Sequence, residues 1–322
     1  MPFVWAALGV VYVVWGSTYL GIRIVIETMP PLLGGAMRFT TAGVLLGAVL
    51  LIRSGPSALR LSRRALGSAA LVGVLLLTFG NGMVSVAEQH ISSGLAALLV
   101  ASVPLWLVVF RRLAGDRPRW TTIAGVAIGF GGLALLCLTR GGSATGSVFG
   151  IVVILVAACS WATGSFVSGR LSMPANPYVA SVYEMVAGGL ALTVLGLAKG
   201  ERVHVDAYST RSWVALCYLI VFGSLLAFTS YVWLLDNAAI SLVGTYAYVN
   251  PTVAVLLGAA ILDERVTWAT LVGGAIILVG VGLVVSTERH GRRPARRPAD
   301  EPAAVVAAGP VDGVSYGSDR PR

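Results

Sequence analysis

Charge is what this sequence has least of. Only 11% of its 322 residues are charged, against about 25% in an ordinary soluble domain. Hydrophobic residues make up 57% and the mean hydropathy is +0.84. Water is a poor solvent for such a chain, which excludes the soluble enzymes and soluble binding modules. Lysine is nearly missing: Lys199 stands alone among 23 basic residues, as an Ala- and Gly-rich coding bias would produce. The three histidines, His90, His204 and His290, lie at or beyond the ends of apolar runs. No Ser–His or Ser–Lys dyad can therefore form in an apolar core, and no HExxH or paired acidic motif is present, so no enzyme is expected. Without a GxxxxGK[ST] loop there is no nucleotide site to drive a primary pump. Cys137, Cys159 and Cys217 sit inside apolar runs with no CxxC spacing, which leaves them as small buried hydrophobes. No metal and no cofactor are expected. No basic stretch precedes the first apolar run, so no cleavable signal is expected either. The net charge of +9 comes from arginines in short clusters between apolar runs. It does not form a basic face or an aromatic-interleaved patch, which excludes nucleic acid as a partner.

What is present in quantity is apolar sequence of spanning length. A crossing of the hydrocarbon core takes about 20 apolar residues, and ten such runs can be placed at 3–23, 31–52, 65–88, 92–113, 120–139, 148–169, 177–198, 212–235, 241–262 and 268–287. Pro, Gly and charged residues punctuate the breaks, as in Met29-Pro30-Pro31, Arg53-Ser54-Gly55-Pro56 and Asp116-Arg117-Pro118. The expected fold class is an all-α polytopic membrane protein. Residues 288–322 turn to Arg, Pro, Ala, Gly and Asp and are expected to be a disordered cytoplasmic tail. Arg53, Arg60, Arg63, Arg64, Arg111, Arg112, Arg117, Arg119, Arg170 and the tail arginines fall on one side of this map. The positive-inside bias then places both termini in the cytoplasm.

The two halves repeat. At one constant shift Trp15, Pro31, Arg38 and Gly43 fall on Trp161, Pro177, Glu184 and Gly189. Slightly larger shifts bring Pro104 onto Pro251, Asp116-Arg117 onto Glu264-Arg265, Trp120 onto Trp268, and Gly125 and Gly132 onto Gly273 and Gly280. Each five-span unit has an odd number of crossings, so the second copy must enter the bilayer from the other side. Two inverted-topology repeats are expected, 3–139 and 148–287, with a shared midplane cavity as alternating access requires.

The runs WGSTYLGIRIVIETMPPLLGGAMRF (15–39), FGNGMVSVAEQH (79–90), SSGLAALLVASVPLW (92–106) and YAYVNPTVAVLLGAAILDERVTW (246–268) resemble the EamA-type drug/metabolite transporters over both halves. The resemblance implies ten helices, cytoplasmic termini and export or exchange of amino acids or related metabolites across a bacterial inner membrane. Asp116 departs from the glutamate usual at its position in that family.

Ionisable groups at membrane depth are rare and expensive, and mark functional sites. Arg38 and Glu184 lie about a third of the way into their spans at equivalent repeat positions. One reading has Arg38 recognise a carboxylate, and Glu184 a cation or a coupling proton, which suits a zwitterionic substrate. The other has Arg38 pair with Glu88 and merely clip two helices. Asn81, Ser85 and Glu88 share a helix face at α-helical spacing, as do Tyr246 and Asn250 before Pro251. Trp15 and Tyr19 are answered by Trp161 and Ser165 in the second half. Trp15, Tyr19, Arg38, Asn81, Ser85, Trp161, Ser165, Glu184, Tyr246 and Asn250 are thus the candidate substrate-binding residues. Trp120 and Trp268 read as interfacial anchors, and the Asp116 and Glu264 turns as favouring the positive ends of the helices that follow them. The expected function is a secondary transporter of a small metabolite, driven by a proton or a counter-substrate, with no oligomeric state implied. The alternative is a non-transporting receptor or assembly scaffold.

Overall fold

The computed structural model describes residues 2–139, 147–238 and 245–289. Every described element is helical. Among the described residues nine helices are long and apolar enough to cross a membrane: α1 (Pro2–Val25), α2 (Pro31–Ser54), α3 (Arg63–Ala87), α4 (Ser93–Leu113), α5 (Trp120–Thr139), α6 (Val148–Ser168), α7 (Pro177–Ala198), α8 (Thr210–Tyr231, with further helix to Asn237) and α10 (Trp268–Arg289). The shorter α9, Tyr246–Leu262, precedes α10. The start expected for the ninth span at 241, and nearly all of the expected tail, lie outside the described residues.

Local signals set the helix starts. α2 and α7 open on Pro31 and Pro177, whose missing N–H costs nothing at a first helical turn. Ser62, Ser92 and Ser209 cap α3, α4 and α8, each accepting a bond from a backbone N–H three residues on.

Two long antiparallel contacts hold the bundle. α2 lies along α7: a Cβ on Gly35 would meet Leu192 at 3.2 Å, one on Gly43 would meet Val186 at 2.9 Å, and one on Gly47 would meet Val182 at 3.3 Å. α5 lies along α10 in the same sense. A Cβ on Gly125 would stand 2.9 Å from Gly280 O, and one on Gly132 would stand 2.8 Å from Ile277 N. Glycine lets the backbones approach until van der Waals packing alone holds them, the main attraction available between helices in lipid.

Three helices depart from α-winding near mid-depth. π-helical stretches run over Val11–Trp15 in α1, Val74–Gly82 in α3 and Leu219–Leu226 in α8. Carbonyls in these stretches accept side-chain bonds, Leu75 O from Ser160 Oγ at 2.8 Å and Gly223 O from Trp15 Nε1 at 3.3 Å. α4 is interrupted by a turn at Ala101 and Ser102 just before Pro104, and α9 carries Pro251 within it.

The turns after α1, α3, α7 and α9 gather at one end of the bundle, where they are laced across the two halves. Glu201 accepts from the N–H groups of Leu33 (2.9 Å) and Leu32 (3.1 Å) at the start of α2. Glu264 accepts from Ser93 N (2.8 Å) and Gly94 N (3.2 Å) at the start of α4. Thr28 and Ser212 share a bond of 2.9 Å, and Arg211 lies 3.5 Å from Glu27. The expectation that Glu264 would serve the helix following it is corrected. Asp263 takes a left-handed conformation at φ 53°, and the Glu264 carboxylate reaches across to α4 instead. Trp120 and Trp268 are outward-facing, 76% and 81% exposed.

Candidate functional site

The winding breaks meet around a central cavity. Its walls come from α1–α4 and α6–α9, while α5 and α10 stay outside it. The space open to water centres is about 100 Å³. A single water needs about 10–15 Å³ by that measure, so the cavity takes several waters or one small metabolite.

Among the described residues Arg38 is its only charged wall residue. The side chain is 5% exposed. Its Nε donates to Ser224 Oγ at 3.0 Å and Nη1 donates to Asn81 Oδ1 at 3.2 Å. Phe39 lies under the guanidinium with its ring centre 4.7 Å from Cζ. Nη2 is set against Gly223, where a Cβ would come within 3.1 Å of it. Both partners are neutral, and Arg38 makes no ion pair with any described carboxylate. The expected alternative, a clip between Arg38 and Glu88, is not formed: both carboxylate oxygens of Glu88 are buried without a hydrogen-bond partner.

The opposite wall is aromatic. Trp15 meets Trp161 edge-on at 6.5 Å between ring centres, Tyr246 at 5.4 Å and Tyr231 at 4.9 Å. The hydroxyls of Tyr19 and Tyr246 make no hydrogen bond among the described residues. Asn250, with its amide turned to donate, ties α9 to α1 by reaching Tyr12 O at 3.1 Å and its own Tyr246 O at 3.2 Å.

Of the residues expected at the site, the structure brings Trp15, Tyr19, Arg38, Asn81, Trp161, Tyr246 and Asn250 to this cavity. Ser85 lines a smaller adjoining pocket that shares Arg38 and Asn81. Ser165 and Glu184 are not among the wall residues. Ser165 spends its hydroxyl on Trp161 O, 2.9 Å away in its own helix. Glu184, 7% exposed, lies where α3 crosses α7, so that a Cβ on Gly73 would stand 2.6 Å from Glu184 Cα. Sequence reasoning missed Ser224, Thr18 and Phe228. Ser224 falls on Thr78 under the same shift that matches Trp15 to Trp161, and that match could have revealed it.

Comparison with known proteins gives a consistent picture. The EamA-like transporter family matches twice, over residues 3–138 and 148–286. The uncharacterized inner membrane transporter YedA of Escherichia coli K12 is 41% identical over 282 residues, spanning 86% of this chain and 90% of that one. A probable terminal-alkyne amino-acid exporter of Streptantibioticus cattleyicolor is 28% identical over 294 residues, spanning 90% and 95%. A solved crystal structure of a protein 22% identical to this chain shares the fold with a TM-score of 0.63, over 87% and 96% of the two chains.

Proposed function

This chain belongs to the EamA-like transporter family, and from that premise we propose that it exports or exchanges a small carboxylate-bearing metabolite, an amino acid or close relative, across a bacterial inner membrane. The observation that carries this reading is Arg38. A buried guanidinium without an anionic partner is expensive, and here it faces a cavity of metabolite size beside a fork of neutral supports. A substrate carboxylate would supply the missing charge and accept the planar, two-pronged contact that arginine offers. The aromatic wall of Trp15, Trp161 and Tyr246 suits an apolar side chain or a substrate ammonium group. The amino-acid exporter among the relatives supports the same class.

Transport is proposed to proceed by alternating access between two inverted repeats. The helix contacts support this through their reciprocity. Gly125 meets Gly280, and their repeat counterparts Gly273 and Gly132 meet each other. Likewise Gly43 meets Val186, and their counterparts Gly189 and Thr40 meet. Trp15 touches its own counterpart Trp161, as a residue beside a pseudo-two-fold axis would. The arginine-rich turns after α2 and α4 support cytoplasmic termini, which puts the laced end outside. A proton or counter-substrate is the proposed driving partner. Glu184, behind the cavity wall, is the proposed coupling group.

Purified protein in proteoliposomes preloaded with a panel of labelled amino acids tests the reading. Release of at least one of them above empty vesicles is expected, and Arg38→Lys should abolish it while the protein stays monodisperse. A charged group held as a single point loses about 1.5–3 kcal/mol of paired contact. Flux no greater than in empty vesicles across amino acids and related carboxylates would favour a receptor or scaffold.

A further inference from the structure

The laced end of the bundle holds a carboxylate that neither the fold nor the cavity uses. Glu88, the residue after α3, is 0% exposed, yet neither of its oxygens has a hydrogen-bond partner. Ser93, also 0% exposed, has a hydroxyl in the same condition. The Ser93 hydroxyl and the Glu264 carboxylate press on one spot: a Cβ on Gly258 would lie 2.9 Å from the first and 2.6 Å from the second. Glu264 itself is well served, since it takes two N–H groups at the positive end of α4, which favours its ionised form.

The groups acting on Glu88 can be named element by element. The α9–α10 turn contributes the charge of Glu264, and α1 contributes Arg23, which forms no ion pair with it. Tyr19, also on α1, lines the cavity. α4 contributes Ser93. α2 brings Arg38, which binds Asn81 and Ser224 and forms no ion pair with Glu88. α6 packs on the same turn through Gly150 and through Phe149 against His90. An ionised carboxylate without a partner is far costlier to bury than a protonated one. A second ionised carboxylate nearby adds to that cost.

We propose that Glu88, with Ser93 and Glu264, forms a proton-binding site between the cavity and the laced end, and that its proton keeps that end shut. The inference rests on the alternating-access reading. With the proton on Glu88, Glu264 can hold Ser93 and Gly94 without repulsion. When the O–H bond breaks and the proton passes to water, a buried, unpartnered charge is left beside the turn that Glu264 holds. Glu264 is then driven off α4 and the end opens. A proton taken up from this face closes it again.

The test needs no substrate. In full-length protein with Cys137, Cys159 and Cys217 replaced, Ala97→Cys puts one thiol in the cavity wall. A membrane-impermeant maleimide is applied from the laced face in proteoliposomes. Rates are divided by those of an Asp206→Cys control on an exposed turn, which removes the thiol's own pH dependence. The normalised rate should rise about tenfold or more from acid to mildly alkaline pH, the change one titrating carboxylate can impose. Glu88→Gln should hold it at the low, acid value throughout. Glu264→Gln, which keeps an acceptor but loses the charge, should label faster at acid pH and lose most of the pH dependence. An unchanged pH profile in Glu88→Gln, or a flat profile in the parent, overturns the site. Flux of the parent protein tests transport separately, so the two readings fail independently.

Discussion

Placing an alanine at Gly280 tests whether α5 and α10 are fused as tightly as their backbones suggest. The new Cβ would stand 2.5 Å from Gly129 Cα and 2.7 Å from Gly125 O. Ordinary carbon contacts begin near 3.5 Å, so the helices must separate by about 1 Å. Both clashing atoms are backbone, and no side chain can swing aside. Overpacking of this kind costs about 1–3 kcal/mol, and pulling apart the Cα–H···O bonds of such a crossing costs about 0.5–1 kcal/mol for each. Against this, alanine favours a helix over glycine by about 0.5–1 kcal/mol. The net expectation is a loss of about 1–3 kcal/mol. Gly131 on α5 provides the control, because a Cβ there meets nothing within 4 Å. Gly131→Ala should be neutral or slightly stabilising. Thermal unfolding in detergent should separate the two, since 1 kcal/mol moves the midpoint by about 2–4 °C in chains of 150–250 residues. Gly132→Ala, the repeat counterpart of Gly280, should fall with it, as its Cβ would lie 2.8 Å from Ile277 N. A Gly280→Ala protein as stable as Gly131→Ala would refute the close crossing and remove one support for the inverted repeats.

Arg38→Gln and Glu88→Gln should shift stability additively, because groups that share no contact couple by less than about 0.5 kcal/mol; a double variant that recovers most of either loss would reinstate the clip between them. For Glu184, the coupling proposal expects Glu184→Gln to lose gradient-driven accumulation while keeping substrate exchange, which needs no net proton movement; accumulation at the parent level would return Glu184 to helix packing. Reporter fusions after His290 should score as cytoplasmic and fusions after Ala144 as external, and the reverse at either point would overturn the proposed orientation.

The spans were readable because twenty apolar residues in a row have few soluble uses, and α2, α4 and α6 begin and end within a few residues of the apolar runs. The sequence repeat matched Trp15 to Trp161 and suggested both for the cavity wall, where the two rings meet. What sequence spacing could not give was the direction each residue faces. Asn81 and Ser85 do meet with Arg38 in the adjoining pocket, as a shared helix face implies, whereas Glu88 is buried without a partner at the end of α3. Glu184 lies outside the cavity wall for a different reason: it matches Arg38 in repeat position, but α3 packs against α7 there. Ser224 was overlooked because an isolated serine in an apolar run carries no periodic signal, although it is one of the two groups that hold Arg38 in place.

Those two groups share one more property. Asn81 lies in the π stretch of α3 and Ser224 in that of α8. Such a stretch stores a surplus residue. Releasing it rotates every side chain beyond by one α-helical step, about 100° about the axis, while the helix stays in its place in the bundle. Unwinding either stretch would swing a ligand of the guanidinium away from it and leave the other behind. Both side chains that fix Arg38 thus sit on stretches where a turn about the helix axis would redirect them without pulling apart the helices around the cavity.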